Sequence, residues 1–165
     1  MPRYLGGHGE SGLVREYVPG CNLREYRAVR RPDERFYPDL LRILDGVHSR
    51  GMAHNDLNKP ENILVTVDGR PVLIDFQIAL GPYRRMAPLV GPMLRYLQWA
   101  DRYHLMKHYT HDRPEEFTPE KIREVRKKGF LLRMHGTLLR KPYRAVRHAV
   151  VLPLLRRDGA GKRAA

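Results

Sequence analysis

The stretch from Gly51 to Leu80 reads GMAHNDLNKPENILVTVDGRPVLIDFQIAL and decides the fold of this chain. Within it, Asp56 follows His54 by two residues, and Asn62 follows Asp56 by six. A carboxylate on a loop can accept a proton from an incoming hydroxyl, and asparagine offers a hard oxygen ligand to Mg²⁺. The spacing therefore predicts a polar site on a loop near the start of the stretch.

Two apolar runs follow, residues 63–67 and 72–74, with an Asp-Gly pair between them. This pattern is typical of a β-hairpin with a tight turn. Asp56 precedes the first strand and Asp75 directly follows the second, so the hairpin is predicted to bring the two carboxylates together. A base and metal ligands in this arrangement would suit in-line phosphoryl transfer, in which catalysis is mostly positioning and charge neutralisation.

The composition is that of one basic domain. Its 165 residues suffice for a single core, and 31 Lys and Arg against 18 acids give a net charge of +13. This excess suits a polyanionic partner, whether nucleotide, nucleic acid, phospholipid or phosphorylated glycolipid, and does not choose among them. One cysteine fits a reducing compartment. No run approaches the roughly 20 apolar residues of a membrane span, so a cytoplasmic location is predicted, or a peripheral one at the inner membrane surface.

Periodicity elsewhere predicts mainly helices. Pro82 to Pro92, with three prolines, is predicted to be an irregular connector. His104, His108 and His111 are interpreted as surface residues of a helix rather than as a metal site. The remaining predicted elements are a strand over Leu13–Val18, a helix capped by Asn22 and reaching about Val29, helices over Phe36–Arg50 and Met93–Tyr109, and a helix from Thr118 to about Lys128. Their order predicts an α+β fold rather than alternating βαβ units.

The central motif resembles a known family. His54-Asn55-Asp56-Leu57 through Asn62 resembles the catalytic loop of the protein-kinase-like superfamily, and Asp75-Phe76 resembles its metal-binding Asp-Phe-Gly. The resemblance implies that Asp56 is the catalytic base, that Asn62 and Asp75 hold Mg²⁺, and that His54 supports the loop.

The segment before the first helix extends the resemblance. Arg15 to Gly20, REYVPG, is similar to the hinge of such kinases, where the backbone around Glu16 and Val18 would contact the adenine of ATP. The resemblance covers about Arg3 to Leu80 and implies a kinase-like C-terminal lobe: a short hinge strand, helices, a catalytic-loop β-hairpin and C-terminal helices. In detail the motifs look closest to bacterial lipopolysaccharide-core kinases and their RIO-like relatives, rather than to eukaryotic serine/threonine kinases.

The chain departs from the kinase pattern at several positions. The spacing from Asp56 to Asn62 is six residues where the kinase loop has five, so the loop is predicted to bulge and Lys59, rather than Asn58, to face phosphate. Gln77 stands where the kinase motif has glycine. No Ala-Pro-Glu follows, which argues against a peptide-substrate platform of the eukaryotic type.

The N-terminal lobe is predicted to be reduced or absent. Gly7 to Val14 matches the Gly-rich pattern G-x-G-x-x-G-x-V, but it runs directly into the hinge-like strand and leaves no room for a lysine-bearing strand. It is therefore interpreted as a turn between two strands. The first lysine of the chain is Lys59. The chain is then either a naturally shortened kinase or the product of a downstream start.

The predicted organisation is one kinase-like domain over residues 1–165. It comprises an N-lobe remnant and hinge (1–20), a helical lobe with the catalytic loop (21–128) and a basic helical tail (129–165). In the tail, arginines alternate with apolar residues, a pattern that suits either a solvated helix face or a helix that lies on an anionic lipid or glycolipid surface.

Three functional hypotheses follow. The first is an ATP- and Mg²⁺-dependent phosphotransferase in which Asp56 is the base and Lys59 contacts phosphate. The resemblance implies that the acceptor hydroxyl belongs to a lipopolysaccharide-core sugar, with a protein serine or threonine as the second choice. The second is an inactive kinase fold that binds nucleotide, or a protein partner through the face that the missing lobe would cover. The third is a basic lipid- or nucleic-acid-binding protein, with nucleic acid less favoured because no recognised module is present.

Overall fold

The protein is described by a computed structural model that covers residues 4–8, 12–81 and 87–127. The described residues up to Val125 form one compact unit. The fold is α+β, as the order of the predicted elements indicates. Within the described ranges, no helix combines the length and the apolar character that crossing a membrane requires.

The strands form two separate antiparallel sheets. Tyr4–His8 (β1) pairs with Gly12–Arg15 (β2), and a three-stranded sheet contains Gly20–Asn22 (β3), Ile63–Thr66 (β4) and Pro71–Leu73 (β5) in the order β3-β4-β5. The predicted β4–β5 hairpin is confirmed, with Ile63 opposite Leu73. Gly69 supplies the positive φ of 78° that its turn requires. The Gly-rich segment joins β1 to β2, as interpreted, although residues 9–11 lie outside the described part.

The predicted strand over Leu13–Val18 is wrong at its C-terminal end. β2 stops at Arg15, which pairs with Tyr4, and residues 16–19 have no regular structure. The reason is that Pro19 has no N–H to donate to a ladder, while the next strand, β3, pairs with β4 instead. Glu16 and Val18 therefore lie in an irregular segment between two sheets, not in a hinge strand.

Four helices complete the described fold: Leu23–Val29 (α1), Phe36–His48 (α2), Ala87–Asp112 (α3) and residues 119–127 (α4). Both predicted N-caps are confirmed. Asn22 and Glu25 form a reciprocal capping box, and the hydroxyl of Thr118 accepts from the backbone N–H of Lys121 at 3.3 Å.

The predicted connector over Pro82–Pro92 is wrong from residue 87 onward, because α3 already begins there. Residues 82–86 lie outside the described part. Pro88 occupies the first turn of the helix, where its missing N–H would have no intrahelical partner in any case. Pro92 also lacks a backbone N–H, so the helix loses only the hydrogen bond from this position to a carbonyl of the first turn. The helix therefore continues through Pro92.

The core lies between α2 and the three-stranded sheet. The buried face of α2 contributes Phe36, Tyr37, Leu40, Leu44 and Val47, and it packs with Ile63, Val65 and Leu73 of the hairpin and with Leu57 and Leu105. This packing fixes the base of the hairpin, from which the predicted site residues extend. The predicted basic tail, residues 129–165, lies outside the described part, and the predicted domain boundaries stay a prediction.

Candidate active site

Three of the predicted site residues are in direct contact. The ammonium group of Lys59 donates to Asp56 Oδ2 at 2.7 Å, and the side-chain amide of Asn62 donates to the same oxygen at 3.0 Å. The Asp56 side chain is 15% exposed and that of Lys59 is 59% exposed. Both of these donors bond to Oδ2 rather than to Oδ1 of Asp56.

The loop absorbs its extra residue through two consecutive turns. The first is closed by Lys59 N donating to Asp56 O at 3.4 Å, and the second, a 3₁₀ turn over Pro60–Asn62, by Asn62 N donating to Lys59 O at 3.2 Å. Leu57 is fully buried in the first turn while Asn58 is exposed. The longer spacing is thus accommodated without separating Asp56 from Asn62.

Asp75 is held near this loop by its neighbour Ile74. The backbone N–H of Ile74 donates to Asn62 O at 3.1 Å, and His54 Nε2 donates to Ile74 O at 2.8 Å. His54 is fully buried and packs edge-on against Phe76, with ring centroids 4.5 Å apart. The imidazole therefore joins the loop to the segment after β5, which is the supporting role that the sequence predicts for it.

The charges of both predicted site carboxylates act on Lys59. The hydrogen bond to Asp56 and the charge of Asp56 are the main causes that raise the pKa of Lys59, and the charge of Asp75 adds to them. Lys59 is thus a cation that responds to both predicted site carboxylates.

Two residues in this region adopt left-handed backbone conformations. Asn55 has φ of 65° and Asp75 has φ of 59°. Such conformations cost about 1–3 kcal/mol in residues other than glycine and persist only when the surroundings determine them. One residue adjoins the predicted base and the other is the predicted metal ligand, so the fold imposes unusual geometry at the site itself.

Sequence reasoning missed the residue that imposes the geometry on Asn55. Asp101, on α3 and 1% exposed, accepts from His54 N at 2.7 Å and from Asn55 N at 2.8 Å. It also lies 3.2 Å from His48 Nε2. A signal was present, since Asp101 interrupts the apolar face of the predicted Met93–Tyr109 helix.

The interpretation of the three histidines as surface residues is wrong for His108. It is 5% exposed, and its Nε2 lies 3.0 Å from the carbonyl oxygen of Leu57 in the same loop. The adjacent Lys107 donates to the side chain of Asn58 at 3.1 Å. His111 is exposed, as predicted, and His104 is partly buried.

Asn62 and Asp75 fit a Mg²⁺ site by their chemistry. The Asn62 amide must turn its NH₂ toward Asp56, because it meets both the carbonyl and the carboxylate oxygen there, so its Oδ1 is the atom that remains to bind a cation. Asp75 is exposed, and its Oδ1 accepts a 3.4 Å bond from the backbone N–H of Gln77. Within the described residues there is no cluster of three or more His, Cys, Asp and Glu that could hold a metal. Mg²⁺ is usually bound by one or two carboxylates plus phosphate oxygens and water.

The predicted adenine-contact residues lie in the irregular segment that precedes β3. Glu16 and Val18 precede β3, which enters the sheet with Gly20 opposite Thr66. Thr66 is four residues along β4 from Asn62, or about 13 Å at the rise of a strand. The fold thus brings Asp56, Lys59 and Asn62 together, with Asp75 next to Ile74 in the segment bonded to Asn62, and the segment of Glu16 and Val18 leads into the other end of the β3–β4 ladder.

Known proteins match part of this chain. Serine/threonine-protein kinase D of Synechocystis sp. is 39% identical over 75 residues, which are 44% of this chain and 15% of that protein. Serine/threonine-protein kinase KIPK1 of Arabidopsis thaliana is 42% identical over 77 residues, 42% of this chain and 8% of that protein. A probable cAMP-dependent protein kinase catalytic subunit of Encephalitozoon cuniculi is 44% identical over 73 residues, 41% of this chain and 22% of that protein.

The chain spans less than a quarter of the length of each of these relatives. No family model matches it. The α+β fold with its three-stranded antiparallel sheet is compatible with part of a kinase-like domain. These partial matches to serine/threonine protein kinases support a relationship to the protein-kinase-like superfamily.

Proposed function

We propose that this chain transfers the γ-phosphoryl group of ATP to an acceptor hydroxyl. The observation that carries the proposal is the contact of Asp56 with Lys59 and Asn62, in a loop bonded to the segment that bears Asp75. A base, a cation and two oxygen ligands side by side are the parts that in-line phosphoryl transfer requires. The partial matches to serine/threonine protein kinases support the same chemistry.

Asp56 acts as the base. Its Oδ1 accepts the proton of the acceptor hydroxyl while the new oxygen–phosphorus bond forms and the bond to the bridging β-phosphate oxygen breaks, releasing ADP. The bond from Asn62 to Oδ2 keeps the carboxylate oriented during this step. Lys59, more than half exposed, can turn its ammonium group from Asp56 to the γ-phosphate and stabilise the charge on it.

The nucleotide is proposed to bind with Mg²⁺. Asn62 Oδ1 and the Asp75 carboxylate would hold the ion, which neutralises phosphate charge when bound. The backbone around Glu16 and Val18 would contact adenine. These roles rest on the family resemblance and on the chemistry of the side chains present.

Two acceptors fit the proposal. The names of the relatives favour a serine or threonine of a protein, whereas the resemblance to bacterial lipopolysaccharide-core kinases and RIO-like kinases favours a core sugar hydroxyl. A cytoplasmic location, attachment of the basic tail to an anionic lipid or glycolipid at the inner membrane surface, and a protein partner over the face that an N-terminal lobe would cover are further proposals.

Turnover and nucleotide binding test the proposal separately. The purified chain is incubated with Mg²⁺ and labelled ATP, and binding is followed by calorimetry. We expect Asp56→Ala to lose turnover but keep Mg·ATP binding, and Asp75→Ala to lose the Mg²⁺-dependent part of binding. Asp68→Ala, in the exposed hairpin turn, is the matched control and keeps both activities.

Other outcomes would point to the competing hypotheses. Binding without turnover in the wild-type chain would contradict the phosphotransferase and support a non-catalytic nucleotide-binding module. Absence of nucleotide binding, together with strong salt-sensitive binding to RNA or anionic vesicles, would contradict both kinase hypotheses and support a basic surface-binding protein.

A further inference from the structure

A buried histidine connects the loop of Asp56 to the helical part of the fold. His108 Nε2 lies 3.0 Å from Leu57 O, and its Nδ1 lies 3.2 Å from Arg27 Nη2. A guanidinium group can only donate hydrogen bonds, so Nδ1 must accept from Arg27. The ring proton is therefore on Nε2, and it is donated to the carbonyl of Leu57. The network thus selects one tautomer and one direction for the ring.

Arg27 is itself fixed by buried partners. Its Nε donates to Asp112 Oδ2 at 2.8 Å, and its Nη2 donates to the Tyr37 hydroxyl at 3.2 Å. The Tyr37 hydroxyl in turn donates to Asp112, whose side chain is 3% exposed. Three helices, α1, α2 and α3, therefore hold the guanidinium in place, and the guanidinium holds His108.

The contact falls where the loop needs support. Leu57 directly follows Asp56, and the turn that contains both is otherwise closed by a bond of 3.4 Å, longer than a normal N–H···O bond. This turn also contains Asn58, in the part of the loop that is one residue longer than the kinase pattern. The bond from His108 is shorter than this turn bond and is buried, so it restrains the backbone on the C-terminal side of Asp56 more strongly than the turn bond does.

We propose that His108 is a positioning residue for Asp56: its hydrogen bond to the Leu57 carbonyl, directed by Arg27, fixes the orientation of the carboxylate. The inference rests on the proposed function, because it concerns the same base. His108 touches neither nucleotide nor acceptor in this arrangement and acts only through the loop. A displacement of about 1 Å at a reacting group can lower the rate by about a hundredfold.

Two substitutions of His108 test the roles of its two ring nitrogens separately. His108→Asn keeps an acceptor near Arg27 but cannot reach the Leu57 carbonyl, whereas His108→Gln places an N–H donor at the position of Nε2. We expect kcat to fall about tenfold to a hundredfold in His108→Asn and to recover to within about fivefold of wild type in His108→Gln. KM for ATP should change less than about twofold in both, because ground-state binding is untouched.

Leu105→Ala, a core change on the same helix, controls for lost stability: it should lower the unfolding temperature and leave kcat unchanged.

A second readout does not depend on activity. Backbone hydrogen exchange over residues 54–59 should be faster in His108→Asn than in wild type and close to wild type in His108→Gln. Equal kcat and equal exchange in the two variants would overturn the inference. If the wild-type chain shows no turnover, the proposed function is wrong, and exchange alone then decides the positioning role: faster exchange in His108→Asn than in His108→Gln supports it, and equal exchange overturns it.

Discussion

Asp101→Asn is the substitution that most directly tests how α3 supports the candidate site. The Asp101 carboxylate accepts from two backbone N–H groups, those of His54 and Asn55, in a fully buried position. An amide of the same size keeps one oxygen as an acceptor but must turn its NH₂ group toward the other N–H. One buried backbone donor then loses its partner, and the left-handed conformation of Asn55 loses its restraint.

The magnitude follows from the bonds lost. A hydrogen bond to a charged group contributes about 1.5–3 kcal/mol, and the remaining bond is roughly halved in strength because its acceptor is no longer charged. We therefore expect Asp101→Asn to lower the free energy of unfolding by about 3 kcal/mol in urea titrations. The turnover of labelled ATP should fall with it, even at temperatures where the variant is folded.

The matched control removes the same charge from the surface. Asp45 pairs with Arg102 where both side chains are about half exposed, so Asp45→Asn should cost less than about 1 kcal/mol. If Asp101→Asn destabilises the chain no more than Asp45→Asn does, the carboxylate does not hold the loop and the reasoning is refuted.

Three further predictions concern other parts of the fold. A Cβ at Gly20 would lie 2.2 Å from Val65 O, so Gly20→Ala should disrupt the β3–β4 pairing and lower the free energy of unfolding by about 1–3 kcal/mol; an unchanged melting temperature would contradict this. Arg27→Met removes the guanidinium group that pairs with the buried Asp112 carboxylate and should cost about 3 kcal/mol in urea titrations, whereas Arg24→Met, at an exposed pair, should cost under about 1 kcal/mol; equal losses of stability in the two variants would refute this reasoning. Burial, followed by the charge of Arg27, lowers the pKa of His108 to about 4, so between pH 6.5 and 4 the unfolded chain takes up a proton that the folded chain does not. Stability should therefore fall by about 3 kcal/mol over that range on account of this residue, and a fall of the same size in His108→Gln would contradict the assignment.

The parts of the fold that the sequence predicts well are those set by local signals. The β4–β5 hairpin follows from alternating apolar runs around an Asp-Gly turn, and the caps at Asn22 and Thr118 follow from side chains that bond to backbone only three residues away. The proximity of Asp56 to Asn62 is of the same kind, since a single loop contains both.

The parts that could not be predicted depend on contacts between distant segments. Asp101 and His108 bond to backbone atoms 46 to 51 positions earlier in the chain. The periodicity of apolar residues indicates that a helix has an apolar face, but it does not indicate which loop packs against that face. The end of the strand near Glu16 also depends on pairing, because the β1–β2 ladder reaches only to Arg15 and the β3–β4 ladder begins only at Gly20.

The hairpin turn over residues 67–70 has a practical consequence. Val67 is 86% exposed there, and the turn lies at the end of the β4–β5 ladder away from the candidate site. A cut in this turn would leave Asp56 and Asn62 on one fragment and Asp75 with α3 on the other. The two fragments would have to reassemble through the ladder before the proposed phosphoryl transfer could be detected. The same turn is therefore a natural place to divide the chain into a complementation pair, with recovered activity as the measure of association.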